Sequence, residues 1–191
     1  MNELKKLLKE IIGLTEDECL FFYSKLYKKE FKAKTLIVKE GRIANNLYFI
    51  ESGILRTYFL QNGKEINTHF ACDNQFFSTF SSFITQTPSF EYLEVIEDSF
   101  VYSLSFNSLK ELYQESSTFE KLGRILAEKN YLCILDRTLL MQTKTAEEKY
   151  LDFIKNYDQK IIRRVPQFQI ASFLGVAPES LSRIRKKISV S

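Results

Sequence analysis

Apolar residues recur at three- and four-residue steps between positions 3 and 30, first as Leu4, Leu7, Leu8, Ile11 and Ile12, then as Cys19, Leu20, Phe22, Tyr23, Leu26 and Tyr27. This spacing predicts two short helices separated at 13–15. From Phe31 to about Ser105 the texture changes to alternating β-branched and aromatic positions. Strands are predicted at 35–38, 47–50, 54–60, 66–70, 92–96 and 100–104. Gly41, Gly53 and the Asn62-Gly63 pair fall between them, where turns require positive φ, and Asn-Gly is a strong hairpin signal. Short strands so spaced favour an antiparallel roll, sandwich or barrel. The interval 74–87, with Phe76, Phe77, Phe80, Phe83 and Ile84, interrupts the strands and predicts a short helix.

Helical periodicity returns at Leu109 and Leu112 and then over 119–142, through Leu122, Ile125, Leu126, Leu132, Cys133, Leu139 and Leu140. Such a helix is about 35 Å long at 1.5 Å per residue. Lys129 and Asp136 interrupt its apolar stripe, which leaves open both a coiled-coil seam and packing against the chain's own roll. A polar break at 143–145 reads as a hinge. Thr145 and Glu148 then supply a capping box for a further helix carrying Tyr150, Leu151, Phe153, Ile154 and Tyr157.

The 191 residues are 45% hydrophobic and 27% charged, an ordinary globular composition. No apolar run approaches the roughly 20 residues of a spanning helix, and the charged N-terminal stretch lacks the pattern of a secretory leader. A cytoplasmic protein is expected. Cys19, Cys72 and Cys133 show no metal or disulfide spacing, and His69 is the only histidine, so neither a metal site nor a cofactor is expected. Phosphate-loop, dinucleotide and nucleophile-elbow motifs do not occur, which argues against an enzyme. A metal-dependent enzyme on a cupin-like roll needs more imidazoles than His69 supplies.

Charge is unevenly distributed. From Lys160 onward seven bases face the single acid Glu179, whereas the rest of the chain holds 20 bases and 23 acids. A basic terminal segment on a mildly acidic body suits a polyanion-binding module. Within it, residues 167–187 read as a helix-turn-helix. Ala171 is the small residue where two helices meet, Gly175 makes the turn, and Ile170, Leu174, Val176, Leu181 and Ile184 form the shared core. Pro178 suits the first turn of the second helix, preceded by Ala177 as cap. On that helix Leu181, Ile184 and Ile188 share one face, and Glu179, Arg183, Lys186 and Lys187 cluster opposite, flanked by Ser180 and Ser182. Recognition helices read base edges through their N-terminal residues. Glu179 and Arg183 are therefore assigned to base reading, Ser180 and Ser182 to base or phosphate contacts, and Lys186 and Lys187 to phosphates. The competing reading makes Glu179 and Arg183 an i,i+4 surface ion pair. The chain is then a small-molecule-binding β-roll whose terminal helices serve a protein partner.

The order of a glycine-punctuated strand region, a long helix and a terminal helix-turn-helix resembles the Crp/Fnr transcription regulators over nearly the whole chain. Gly41 with residues 47–56 (LYFIESGILR) resembles the β-roll of the cyclic-nucleotide-binding domain, and Gly175 through Arg183 resembles the DNA-reading element. The resemblance implies an α+β fold, with an antiparallel β-roll (double-stranded β-helix), a long dimerisation helix and a winged-helix-like C-terminal helix-turn-helix. The resemblance also leads one to expect a truncated wing, with only Ile188 to Ser191 after the expected recognition helix. It divides the chain into an effector domain at 1–118, a central dimerisation helix at 119–142 and a DNA-binding domain at 143–191. Double-stranded DNA, a second copy of the chain and RNA polymerase are the implied partners, with no membrane.

Departures from the family pattern are informative. In members that bind cyclic AMP a Gly-Glu pair holds the ribose and, a little further on, an Arg-Ser pair holds the cyclic phosphate. Here Ser78-Thr79 and Ser89-Phe90 stand at those positions, and no arginine occurs between Arg56 and Arg124. The bidentate partner of a phosphate is thus missing, and a degenerate effector pocket of unknown ligand is expected. The Phe-rich stretch 76–90 suits either an apolar pocket or plain core. The cysteine spacing does not match the iron–sulfur cluster of oxygen-sensing members, and His69 alone gives no haem signal.

Overall fold

The computed structural model describes residues 2–190, and the side chains of residues 3–188. Helix α1 (Asn2–Lys6) runs on as a π-helical turn over Leu7–Ile12 and ends at Gly13. In α2 (Glu16–Ser24) the N-terminus is closed reciprocally: Thr15 Oγ1 accepts from the Glu18 N–H, and the Glu18 carboxylate accepts from the Thr15 N–H. Leu4, Leu8, Ile12, Cys19 and Phe22 lay these helices against the main core.

Six strands follow: β1 (Leu26–Phe31), β2 (Leu36–Val38), β3 (Asn46–Gln61), β4 (Lys64–Cys72), β5 (Phe76–Phe77) and β6 (Tyr92–Ser105), with α3 (Phe80–Thr85) between the last two. All pairings are antiparallel, in the order β1-β6-β3-β4, with β2 also on β6 and β5 on β3. Asn62 and Gly63, both at positive φ, join β3 to β4 as the Asn-Gly hairpin expected. Six helices follow among the described residues: α4 (Phe106–Glu115), the 27-residue α5 (Ser117–Thr143), α6 (Ala146–Asn156), α7 (Gln159–Arg164), α8 (Gln167–Leu174) and α9 (Pro178–Val190). The fold is the α+β roll-and-helix arrangement expected.

Several local expectations need correction. Residues 26–30 are not helical. Leu26–Phe31 forms strand β1, paired with β6 from Leu26↔Leu104 to Phe31↔Ser99, its lysines exposed. Gly53 does not separate two strands. It lies inside β3 at φ +125°, where the register slips, and an added Cβ there would fall 1.9 Å from Ser99 Oγ. Glycine is required because β6 approaches too closely for a side chain, not because the chain turns. Likewise 92–96 and 100–104 are parts of the single strand β6. The interval 74–87 does contain the expected short helix, α3, and the short strand β5 that precedes it was not expected. Finally, the last helix continues to Val190, past the expected end near Lys187, while Ser191 lies outside the described residues.

Two apolar clusters organise the molecule. One fills the roll with Leu47, Phe49, Ile50, Leu55, Val95 and Val101, and reaches Phe119 and Leu122 of α5. The other joins Ile54, Phe70 and Cys72 of the roll to the terminal helices through Phe153, Ile161, Phe173 and Leu174. The terminal helices are therefore packed onto the roll, with Phe70 and Phe173 at 5.3 Å between ring centroids.

Candidate nucleic-acid interface and effector pocket

Helix α8 stops where Gly175 takes φ +63°. The Val176 N–H donates to Ala171 O at 3.0 Å and the Gly175 N–H to Ser172 O at 3.2 Å, a C-terminal cap that only a left-handed residue permits without strain. Pro178 opens α9, where its missing N–H costs nothing. Ile170, Ala171, Leu174 and Leu181 are buried between the two helices, with Val176, Ile184 and Ile188 packed at their margin.

This packing turns the opposite face of α9 outward. Glu179, Ser182, Arg183, Arg185, Lys186 and Lys187 are exposed and Ser180 is half-buried. Arg183 Nη2 approaches Ser180 Oγ at 3.5 Å, and among the described residues no ion pair joins it to Glu179. Glu179 and Arg183 thus form no i,i+4 ion pair. Lys187 Nζ instead pairs with Glu147 of α6 at 2.8 Å, tying the two helices together. Arg185 and Lys186 line a groove with Tyr150, Ile154 and Ile188. Helix α6 is positioned by the Thr145–Glu148 capping box.

The residues at the cassette positions are differently placed. Ser78 and Ser89 are buried, their hydroxyls donating to Asn46 O and Glu91 O, each at 2.9 Å. Thr79 is fully buried, and its Oγ1 has no hydrogen-bond partner among the described residues. Phe90, by contrast, is 58% exposed, so the four do not converge on one cavity.

A second polar group, unexpected from sequence, sits where the roll meets α5. Thr57 and Thr68 hydroxyls lie 2.8 Å apart, and Thr68 Oγ1 donates to Glu91 Oε1 at 2.5 Å. Burial raises the Glu91 pKa, against the opposing pull of Thr68 and Arg137. Beside them His69 Nδ1 is 3.6 Å from Cys133 Sγ of α5. Burial, aided by Arg137, lowers the imidazole pKa to about 4, and burial raises that of the thiol, so both are neutral near pH 7. These residues come from distant parts of the chain and share no local motif.

Along α5, Cys133 and Arg137 turn toward the roll, whereas Tyr131, Leu132, Ile134, Leu135, Leu139 and Met141 are exposed. No helix is long and apolar enough to cross a membrane, and no group of three or more His, Cys, Asp or Glu side chains is placed to hold a metal, among the described residues.

Comparison with known proteins agrees with this architecture. Residues 28–116 match the family model described as the cyclic nucleotide-binding domain. The anaerobic regulatory protein of Pasteurella multocida is 25% identical over 168 residues, covering 82% of this chain and 61% of that protein. The chain thus spans less than two thirds of the length of the curated relatives it matches. FixK2 from Bradyrhizobium japonicum superposes with a TM-score of 0.78 at 19% identity, over 86% of this chain and 85% of that one. A crp/fnr-family transcriptional regulator from Eubacterium rectale gives 0.70 at 19% identity, over 96% and 86%. Residues 28–116 thus match the cyclic nucleotide-binding domain, and the chain as a whole shares its fold with regulators of the Crp/Fnr type.

Proposed function

We propose that the chain is a sequence-specific, non-enzymatic transcription regulator that binds a palindromic site on double-stranded DNA as a homodimer. The observation that carries this reading is the outward face of α9, where Glu179, Ser182 and Arg183 stand exposed while Leu181 is buried against α8. An exposed arginine in the first two turns of such a helix can donate two hydrogen bonds to a guanine, and the nearby glutamate can accept from a cytosine. Ser180 and Ser182 take base or phosphate contacts, Lys186 takes a phosphate contact, and Lys187 does so by exchanging its ion pair with Glu147 for a phosphate. In this division residues 1–118 form the effector domain, 119–142 the dimerisation helix and 143–191 the DNA-binding domain. The exposed apolar face of α5 supports dimerisation, since a stripe of six large side chains is costly to leave in water. RNA polymerase is the expected further partner, and the cytoplasm the expected compartment.

Cyclic AMP is not the expected effector. The cassette lacks an arginine, and Ser78 and Ser89 already spend their hydroxyls on backbone carbonyls. Arg56, the nearest arginine before the cassette, is held by Glu94 and by Glu65 at 2.7 Å. Selection of bound sequences from a random duplex pool tests the reading. Enrichment of an inverted repeat supports it, and retention of DNA without any enriched sequence contradicts it.

A further inference from the structure

Strand β4 ends the β1-β6-β3-β4 ladder, so its outer edge offers backbone groups that no strand satisfies. Helices α5 and α8 satisfy three of them, on Glu65 and Asn67. The Asn67 N–H donates to Ser172 Oγ at 3.1 Å, and Ser172 Oγ donates in turn to Glu65 O at 2.6 Å. Asn67 O accepts from Arg137 Nη2 of α5 at 2.9 Å, and the same nitrogen reaches Phe173 O at 3.3 Å. The Arg137 guanidinium also lies 4.9 Å from the Phe173 ring centroid.

The Asn67 side chain completes the junction. Its Oδ1 accepts from Arg56 Nη1 of β3 at 2.9 Å, and its Nδ2 donates to Gln169 O of α8 at 3.3 Å. All four polar groups of this buried residue are therefore engaged, and they connect the roll, the long helix and the helix-turn-helix. The β3–β4 register slips between Thr57 and Tyr58, next to Asn67, and such an irregularity re-aims side chains.

We propose that Asn67 is a positioning residue for DNA reading: with Ser172 and Arg137 it fixes the pose of the helix-turn-helix relative to the dimerisation helix. This rests on the regulator reading above. The side chain must both accept and donate, and this requirement makes Asn67→Asp informative. Aspartate keeps the shape and the bond from Arg56, but sets a carboxylate oxygen against Gln169 O.

The test uses the full-length chain, its Asn67→Asp and Ser172→Ala variants, and two readouts. In hydrogen exchange, β4 and α8 should lose protection by about tenfold or more in both variants, while β1, β3 and β6 keep theirs. In DNA binding, each variant should keep its affinity for a single half-site. It should lose, by a similar factor, discrimination against an operator whose half-sites are moved apart by about half a helical turn, ~5 base pairs. Unchanged protection of β4 and α8, or lost protection with spacing discrimination intact, overturns the proposal. Should Asn67→Asp expose the whole sheet, Ser172→Ala decides alone, because it leaves the Arg56 bond in place. If the unaltered chain selects no sequence, the regulator reading fails, and with it the role in DNA reading, while exchange still reports whether the clamp exists.

Discussion

Arg183 and Lys186 lie one turn apart on α9, both exposed, and their removal should fail in different ways. Arg183→Ala should cost about 1–3 kcal/mol against the preferred operator and relax choice at one base pair in each half-site. Lys186→Ala should weaken binding to all sequences alike and lower the salt slope by about one. Titrations of matched and mutated operators at several salt concentrations check both, and equal behaviour of the two variants would contradict the assignment. His69 makes a prediction about pH. Its folded pKa of about 4 lies below the ordinary 6.5, so the unfolded chain binds the extra proton between those values. Stability should therefore fall as pH drops from about 6.5 towards 4, by at most on the order of 3 kcal/mol from this group. Urea unfolding of the unaltered chain and His69→Gln at pH 7 and pH 4.5 measures it, and an identical pH slope in both would argue against the buried neutral imidazole. The residues of α9 were legible because a glycine turn and a 3.6-residue period fix which side faces out. His69 and Cys133 were not, because their meeting depends on a contact across 64 positions.

Among the elements, α5 shows how far pattern carries. Its length and period were readable, but the interrupting Lys129 and Asp136 left two uses open, and the structure shows packing on the roll along one part of the helix and an exposed apolar face along another. Phe119 and Leu122 enter the core of the roll, whereas Leu135 and Leu139 remain 38% and 50% exposed. In the dimer account the part of those leucines still exposed is covered by a second copy, each contributing about 0.6–1.5 kcal/mol. Leu135→Glu and Leu139→Glu should each weaken self-association by about tenfold or more without loss of helix content. Sedimentation velocity against circular dichroism checks this, and an unchanged dimer would show that the face has another use. Strands were legible where alternation was strong. Leu26–Phe31 misleads because its apolar positions continue the helical spacing of the preceding residues, and only the ladder to β6 commits it to a strand. Gly53 misleads because a glycine between apolar runs signals a turn equally well, and its true cause, the approach of Ser99, lies 46 positions away.

For the whole molecule, the basic terminal segment and the acidic remainder are not simply separate. Lys160 pairs with Asp73 at 2.6 Å and with Glu97 at 2.9 Å, and Glu97 also binds Arg164. Burial works against the Lys160 ammonium, yet the two carboxylates outweigh it and raise its pKa. Part of the terminal positive charge therefore holds α7 to the roll, while Arg183, Arg185 and Lys186 stand exposed on α9. Sequence composition revealed the asymmetry but not this division, which depends on how the helices dock. In the proposed complex two copies present their α9 helices to the same side of one duplex. Hydroxyl-radical footprinting on the selected operator measures this most directly. It should show two protected patches related by two-fold symmetry, their centres about 34–36 Å apart, both lost in Arg183→Ala. A single patch, or protection that Arg183→Ala leaves untouched, would contradict it.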